Sequence, residues 1–95
     1  RSKGLMFRTY LAPGACMLFD FGNPRPVSMC MKNTYISLDM LFISKDGVIH
    51  KIAENTTPHS TEINSSNSYV KYVLERNGGA SSQLGIKPGN TVTLP

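Results

Sequence analysis

Leu38-Asp39-Met40-Leu41-Phe42-Ile43-Ser44-Lys45-Asp46-Gly47-Val48-Ile49-His50-Lys51-Ile52-Ala53 is the stretch on which the fold turns. Two apolar runs, Leu38 to Ser44 and Val48 to Ala53, flank the tripeptide Lys45-Asp46-Gly47. An Asp-Gly step supplies the positive φ that a tight connection between two twisted strands requires, so the stretch reads as a β-hairpin.

Upstream of the hairpin, Cys16 to Phe21 follows the breaker pair Pro13-Gly14 and reads as a strand with Met17, Phe19 and Phe21 on one face. Gly22-Asn23-Pro24-Arg25-Pro26 cannot continue a ladder and predicts a turn into a second strand, Val27 to Met31. Downstream, Glu54 to Ser68 is polar and rich in Ser, Thr and Asn, with Pro58 in its middle and Ile63 as its one apolar anchor, and reads as a long loop. Alternation resumes at Tyr69 to Arg76, placing Val70, Tyr72 and Leu74 inward and Lys71, Val73 and Glu75 on the other face. Asn77 is placed to cap a short helix from Gly79 to Leu84, which Gly85 would end. Ile86-Lys87-Pro88-Gly89-Asn90 fits a type II turn leading into a last strand, Thr91 to Leu94. No internal repeat or heptad is present. The expectation is a mainly β fold, sandwich or barrel-like and mostly antiparallel, with at least five strands and one short helix near residues 79–84.

With 95 residues, 40% of them hydrophobic, the chain has material for one core and no second domain. No run of about 18 apolar residues exists that could span a bilayer as a helix. The net charge of +4 raises the question of a nucleic-acid partner. The basic residues are instead spread from Arg1 to Lys87 without a Lys/Arg block or a nucleic-acid motif, which argues for an ordinary solvated surface and no nucleic acid.

Catalytic and metal patterns are thin. His50 lies in a strand pattern and His59 in the long loop, neither with a Cys or carboxylate at zinc spacing, so no metal site and no cofactor are expected. The five methionines fall on core-like positions and read as packing rather than as a soft-metal site. There is no Gly-x-Ser-x-Gly elbow and no phosphate-cradling loop, and Gly78-Gly79 reads as strand-to-helix geometry. Asn55-Thr56-Thr57 and Asn64-Ser65-Ser66 fit a glycosylation pattern that is common by chance.

Five short segments, in order, carry a resemblance. They are Leu5-Met6-Phe7-Arg8; Met17-Leu18-Phe19-Asp20-Phe21; Met31-Lys32-Asn33-Thr34 followed by Leu38-Asp39; Tyr72-Val73-Leu74-Glu75; and Leu84-Gly85-Ile86-Lys87-Pro88-Gly89. Together they resemble the family catalogued as domain of unknown function 192, whose most diagnostic signature is "MKNT" followed by "LD". The resemblance implies a compact β-rich domain with a short helix and no established activity. It occurs in bacterial proteins that often carry an export signal or membrane anchor, so an exported or periplasmic location is expected. Family members usually have a strand and a partial helix before the "LMFR" element. The chain, which opens at Arg1, therefore reads as a single domain over residues 1–95 without that strand and without a leader. It departs from the family pattern at Met29-Cys30, where an aromatic pair is common, and at Cys16, where glycine is usual.

Within these segments Arg8, Lys32, Asn33 and Asp39 form the candidate polar site. On a structural reading, Asn33 and Thr34 hold a tight turn while Asp39 pairs with Arg8 or Lys32. On a functional reading, Arg8 and Lys32 hold an anionic ligand group that Asn33 and Asp39 orient. A third reading makes Asp39 the base of a small hydrolase or transferase, although no activated nucleophile is visible. The expected function is accordingly a non-enzymatic binding or accessory module of an exported or envelope-associated protein. Its partner would be a small anionic ligand or another protein, with the enzyme as the alternative. If Cys16–Phe21 and Val27–Met31 pair around a turn near Asn23, Cys16 lies opposite Cys30, close enough for a disulfide; a one-residue shift in register would separate them.

Overall fold

The computed structural model describes residues 10–94. The predicted hairpin is its centre: β3 (Leu38–Ile43) and β4 (Ile49–Ala53) pair antiparallel, with a register shift between Phe42 and Ile43. In the connection, the Gly47 N–H donates to the Ser44 carbonyl (3.0 Å) and the Ser44 side chain accepts from the Val48 N–H (3.1 Å). Gly47 is required twice over. Its φ is +84°, and a Cβ there would stand 2.6 Å from the Val92 carbonyl oxygen, whose own residue closes the contact by donating its N–H to Gly47.

The other edge of β3 pairs with β6 (Val70–Asn77), which in turn pairs with β1 (Cys16–Arg25). The result is a four-stranded antiparallel sheet in the order β1-β6-β3-β4. A second, two-stranded sheet joins β2 (Ser28–Met29) to β5 (Asn64–Ser65). The single helix among the described residues, α1 (Ala80–Leu84), ends at Gly85 in the left-handed region. The fold is thus mostly antiparallel β with one short helix, as the sequence predicts.

The large sheet is covered on both faces. On one side Phe19, Leu38, Met40, Phe42 and Val73 pack under Leu11, Val27 and Met31. On the other, Leu41, Ile43, Ile49 and Tyr72 pack against Ile86, Val92 and Leu94. Double coverage explains why every residue of β3 is buried and why its sequence is a nearly continuous apolar run rather than an alternation. It also corrects the inward and outward assignment of β6: Tyr72 and Val73 are both buried, in opposite clusters.

Four other expectations are corrected. Cys16–Phe21 and Val27–Met31 do not pair with each other, because β1 runs on to Arg25 and spends its ladder on β6. Pro24 is tolerated there since β1 is the last strand of the sheet among the described residues, and the register shift between Asp20 and Arg25 absorbs the irregularity. With that hairpin goes the geometry for a disulfide: Cys16 lies opposite Arg76, and Cys16 and Cys30 are both exposed free thiols. The long polar loop contains a strand, β5. Thr91–Leu94 forms only an isolated bridge, Val48 with Thr91, although the type II turn before it is made, with Asn90 N–H donating to the Lys87 carbonyl (3.1 Å). Finally, Asn77 does not cap α1; its amide nitrogen donates to the Leu11 carbonyl (2.9 Å), tying the segment before β1 to the end of β6.

Candidate functional site

Met31-Lys32-Asn33-Thr34 is a β-turn closed by the Thr34 N–H donating to the Met31 carbonyl (2.9 Å), with Asn33 at φ +61°. Asparagine is the side chain that tolerates this left-handed position best after glycine, so the signature is read out as backbone geometry. Met31 and Thr34 are buried, whereas Lys32 is exposed.

Asp39, the next signature residue, is fully buried at the start of β3. One carboxylate oxygen accepts the N–H groups of Asn55 (2.9 Å) and Gly79 (3.0 Å), and the other accepts that of Ser81 (2.8 Å). Burial alone would raise its pKa; the three backbone donors outweigh it, and the net shift is downward. Asp39 therefore pins the end of β4 and the first turn of α1 to the central strand. The backbone can approach because Gly78 has no side chain: a Cβ there would lie 2.5 Å from the Ser37 hydroxyl. At this corner two buried atoms, Arg76 Nε and Ser81 Oγ, have no hydrogen-bond partner among the described residues.

Of the expected cluster of Arg8, Lys32, Asn33 and Asp39, the structure describes the last three. Asp39 is held by backbone donors and Lys32 makes no ion pair with it among the described residues, while Arg8 lies outside the described residues. What the turn and Asp39 share is scaffolding of the same loop. Thr56, buried between them, donates its hydroxyl to the Leu38 carbonyl (2.8 Å) and accepts from the Leu38 N–H (3.1 Å). His59 N–H donates to the Thr34 carbonyl (3.0 Å), and Met31 N–H to the Ser60 carbonyl (3.1 Å).

That tethered loop forms one wall of an open groove of about 250 Å³, with β4 as the other wall. Lys51, Glu54, Asn55, Thr57, Glu62 and Asn64 supply its polar lining. Lys51 Nζ donates to the Ser65 carbonyl (2.6 Å) and stands 5.9 Å from the centre of the Phe42 ring, which fixes the ammonium at the groove and leaves two of its donors uncommitted. The sequence reading missed Lys51 because it gave the 54–68 segment only Ile63 as an anchor, whereas Ile63 is exposed and Thr56, His59 and Ser60 tether the loop; the Ser, Thr and Asn richness of that segment was the available signal.

A second group escaped the sequence reading. Glu75, assigned by alternation to an outer face, is 4% exposed on the face that carries Met40, and it has no hydrogen bond or ion pair among the described residues. Burial pushes its carboxyl from 4.5 up to about 7.

Fold and site together define a small antiparallel β domain built around a loop-walled polar groove and two buried carboxylates of opposite character. The chain belongs to the DUF192 family, described as "Uncharacterized ACR", whose profile matches residues 1–94. It is similar to a crystal structure from Sinorhizobium meliloti 1021 described as a "putative transcription regulator", with a TM-score of 0.91 and 55% identity over 94% of this chain and 69% of that one. It is also similar to a protein of unknown function from Novosphingobium aromaticivorans DSM 12444, with a TM-score of 0.93 and 39% identity over 97% of this chain and 66% of that one. Among curated proteins none matches the chain.

Proposed function

We propose that the domain is a non-enzymatic binding module whose ligand site is the groove between β4 and the 54–64 loop. One observation carries this reading: the loop is tethered at Thr56, His59 and Ser60, which holds open a polar concavity with the Lys51 ammonium fixed at its side. Glu54 and Glu62 outnumber Lys51 there, so the groove favours a small zwitterionic or polyhydroxylated molecule over the simple anion expected from Arg8 and Lys32. The enzyme alternative loses its base, because Asp39 is buried, accepts three N–H groups and has a lowered pKa.

A metabolite library screened by two-dimensional amide NMR tests the reading. Binding is expected to move the Lys51, Asn55, Thr57 and Asn64 signals and to be lost in Lys51→Ala. A ligand that moves Lys32 and Asn33 instead, or any compound turned over, overturns it. The exported or periplasmic setting is part of the same proposal. The two exposed free thiols do not add to its support, and fractionation of a tagged native protein tests it. The regulator description of the Sinorhizobium relative gains no support from the dispersed basic residues of this chain.

A further inference from the structure

Glu75 is a buried carboxyl that neither the groove nor the hydrogen-bonded scaffold uses among the described residues. The ladders place it directly opposite Met17 of β1 and directly opposite Met40 of β3, so Met17, Glu75 and Met40 form a single row across three strands. Directly opposed residues share a face with Cβ atoms about 4.5–5.5 Å apart, which puts two flexible thioethers within reach of one carboxylate. The next row, Phe19, Val73 and Phe42, places apolar groups on one side and continues to Lys51 of β4, whose ammonium is committed to the Ser65 carbonyl. On the other side lies the row of Leu38 and Asn77, where the Asn77 amide nitrogen is committed to the Leu11 carbonyl. No charged side chain of β1, β3 or the 11–15 segment pairs with Glu75 among the described residues. A buried, unpaired carboxylate calls for a proton or a cation. Met40 closes the row inward at 1% exposure, while Met17 is half-buried on the strand that ends the sheet among the described residues.

We propose that Met17, Glu75 and Met40 form a binding site for a soft monovalent metal ion, Cu(I) or Ag(I). Thioethers select such ions over the hard divalent cations, and the carboxylate supplies the charge that the ion neutralises. This site is separate from the groove, and neither proposal depends on the other.

Because exposed Cys16 and Cys30 would themselves take up these ions, the test uses the Cys16→Ser/Cys30→Ser protein. Calorimetric titration with Ag(I), and Cu(I) titration against a chromogenic chelator, are expected to give one ion per chain, with the ε-methyl NMR signals of Met17 and Met40 shifting and those of Met29 and Met31 unmoved. Met17→Leu and Met40→Leu keep the side-chain volume and should each weaken binding at least tenfold. Glu75→Gln should weaken it as well. Absence of binding in the thiol-free protein, or unchanged affinity in both leucine variants, overturns the proposal. So does a titration in which the Met17 and Met40 methyls stay in place, a readout that needs no variant at either position.

Discussion

Replacing Glu75 by Gln tests whether the carboxyl is buried without compensation. Glu75 lies between Met17 and Met40 at 4% exposure, and burial pushes its pKa from 4.5 to about 7. Below the lower value both the folded and unfolded states carry the proton, and the group contributes nothing to pH dependence. Between the two values the unfolded chain ionises while the folded one does not, so stability falls as pH rises, at about 1.4 kcal/mol per pH unit. Above about pH 7 both states are ionised and the penalty levels off at about 3 kcal/mol, a large share of the 5–15 kcal/mol typical of domains. The sign is opposite to that of a paired carboxylate, which stabilises as pH rises. Glu75→Gln keeps the size and removes the charge, so the variant should match the native protein near about pH 4.5 and exceed it by up to about 3 kcal/mol near about pH 8. Urea unfolding of both proteins across that range, with a chelator present, gives the difference curve, in which all other titrations cancel. A difference independent of pH, or a native protein that gains on the variant as pH rises, would refute the reasoning, because it would mean that the folded state holds Glu75 ionised and paired.

Asp39→Asn should cost about 3 kcal/mol or more, since three buried N–H donors lose a charged acceptor, and urea unfolding measures it. Gly47→Ala should destabilise by about 2 kcal/mol or more, combining left-handed strain with the clash on the Val92 carbonyl, and should lower Tm in a thermal melt. Thiol titration of the unfolded, unreduced protein should find both Cys16 and Cys30 free.

The elements legible in the sequence were those with local causes. Asp46-Gly47 forced the β3–β4 hairpin, Gly85 stopped α1, Pro88-Gly89 made its turn, and Asn33 found its left-handed position. Pairing partners distant in the chain were not legible. Nothing local distinguishes β1 paired with β2 from β1 paired with β6, and that choice alone decided the fate of the cysteine pair and of the neighbours of Glu75. The alternation rule also misled at β6, because it assumes one wet face. Ile86, Val92 and Leu94 cover one face and Leu11, Val27 and Met31 the other, so the strand buries both of its sides, and Glu75 is buried on the second of them. For Asp39 the sequence identified the residue and missed its partners, since a carboxylate bound by backbone N–H groups leaves no complementary side chain to read.

Asp39 and Glu75 separate what the fold uses as scaffold from what it leaves unused. They sit on neighbouring strands, at consecutive rungs of the β3–β6 ladder, where Asp39 faces Arg76 and Met40 faces Glu75. Side chains alternate along a strand, so the two carboxyls point to opposite faces of one sheet. Asp39 meets the first turn of α1 and the end of β4, where three donors stabilise its ionised form. Glu75 meets Met17 and Met40, which stabilise neither charge nor hydrogen bond. A fold under selection for stability alone has no use for the second arrangement, because an uncharged side chain at residue 75 would remove a penalty of about 3 kcal/mol at neutral pH. The carboxyl that costs the fold, and not the one that holds it together, is therefore the place where this sheet departs from structural need.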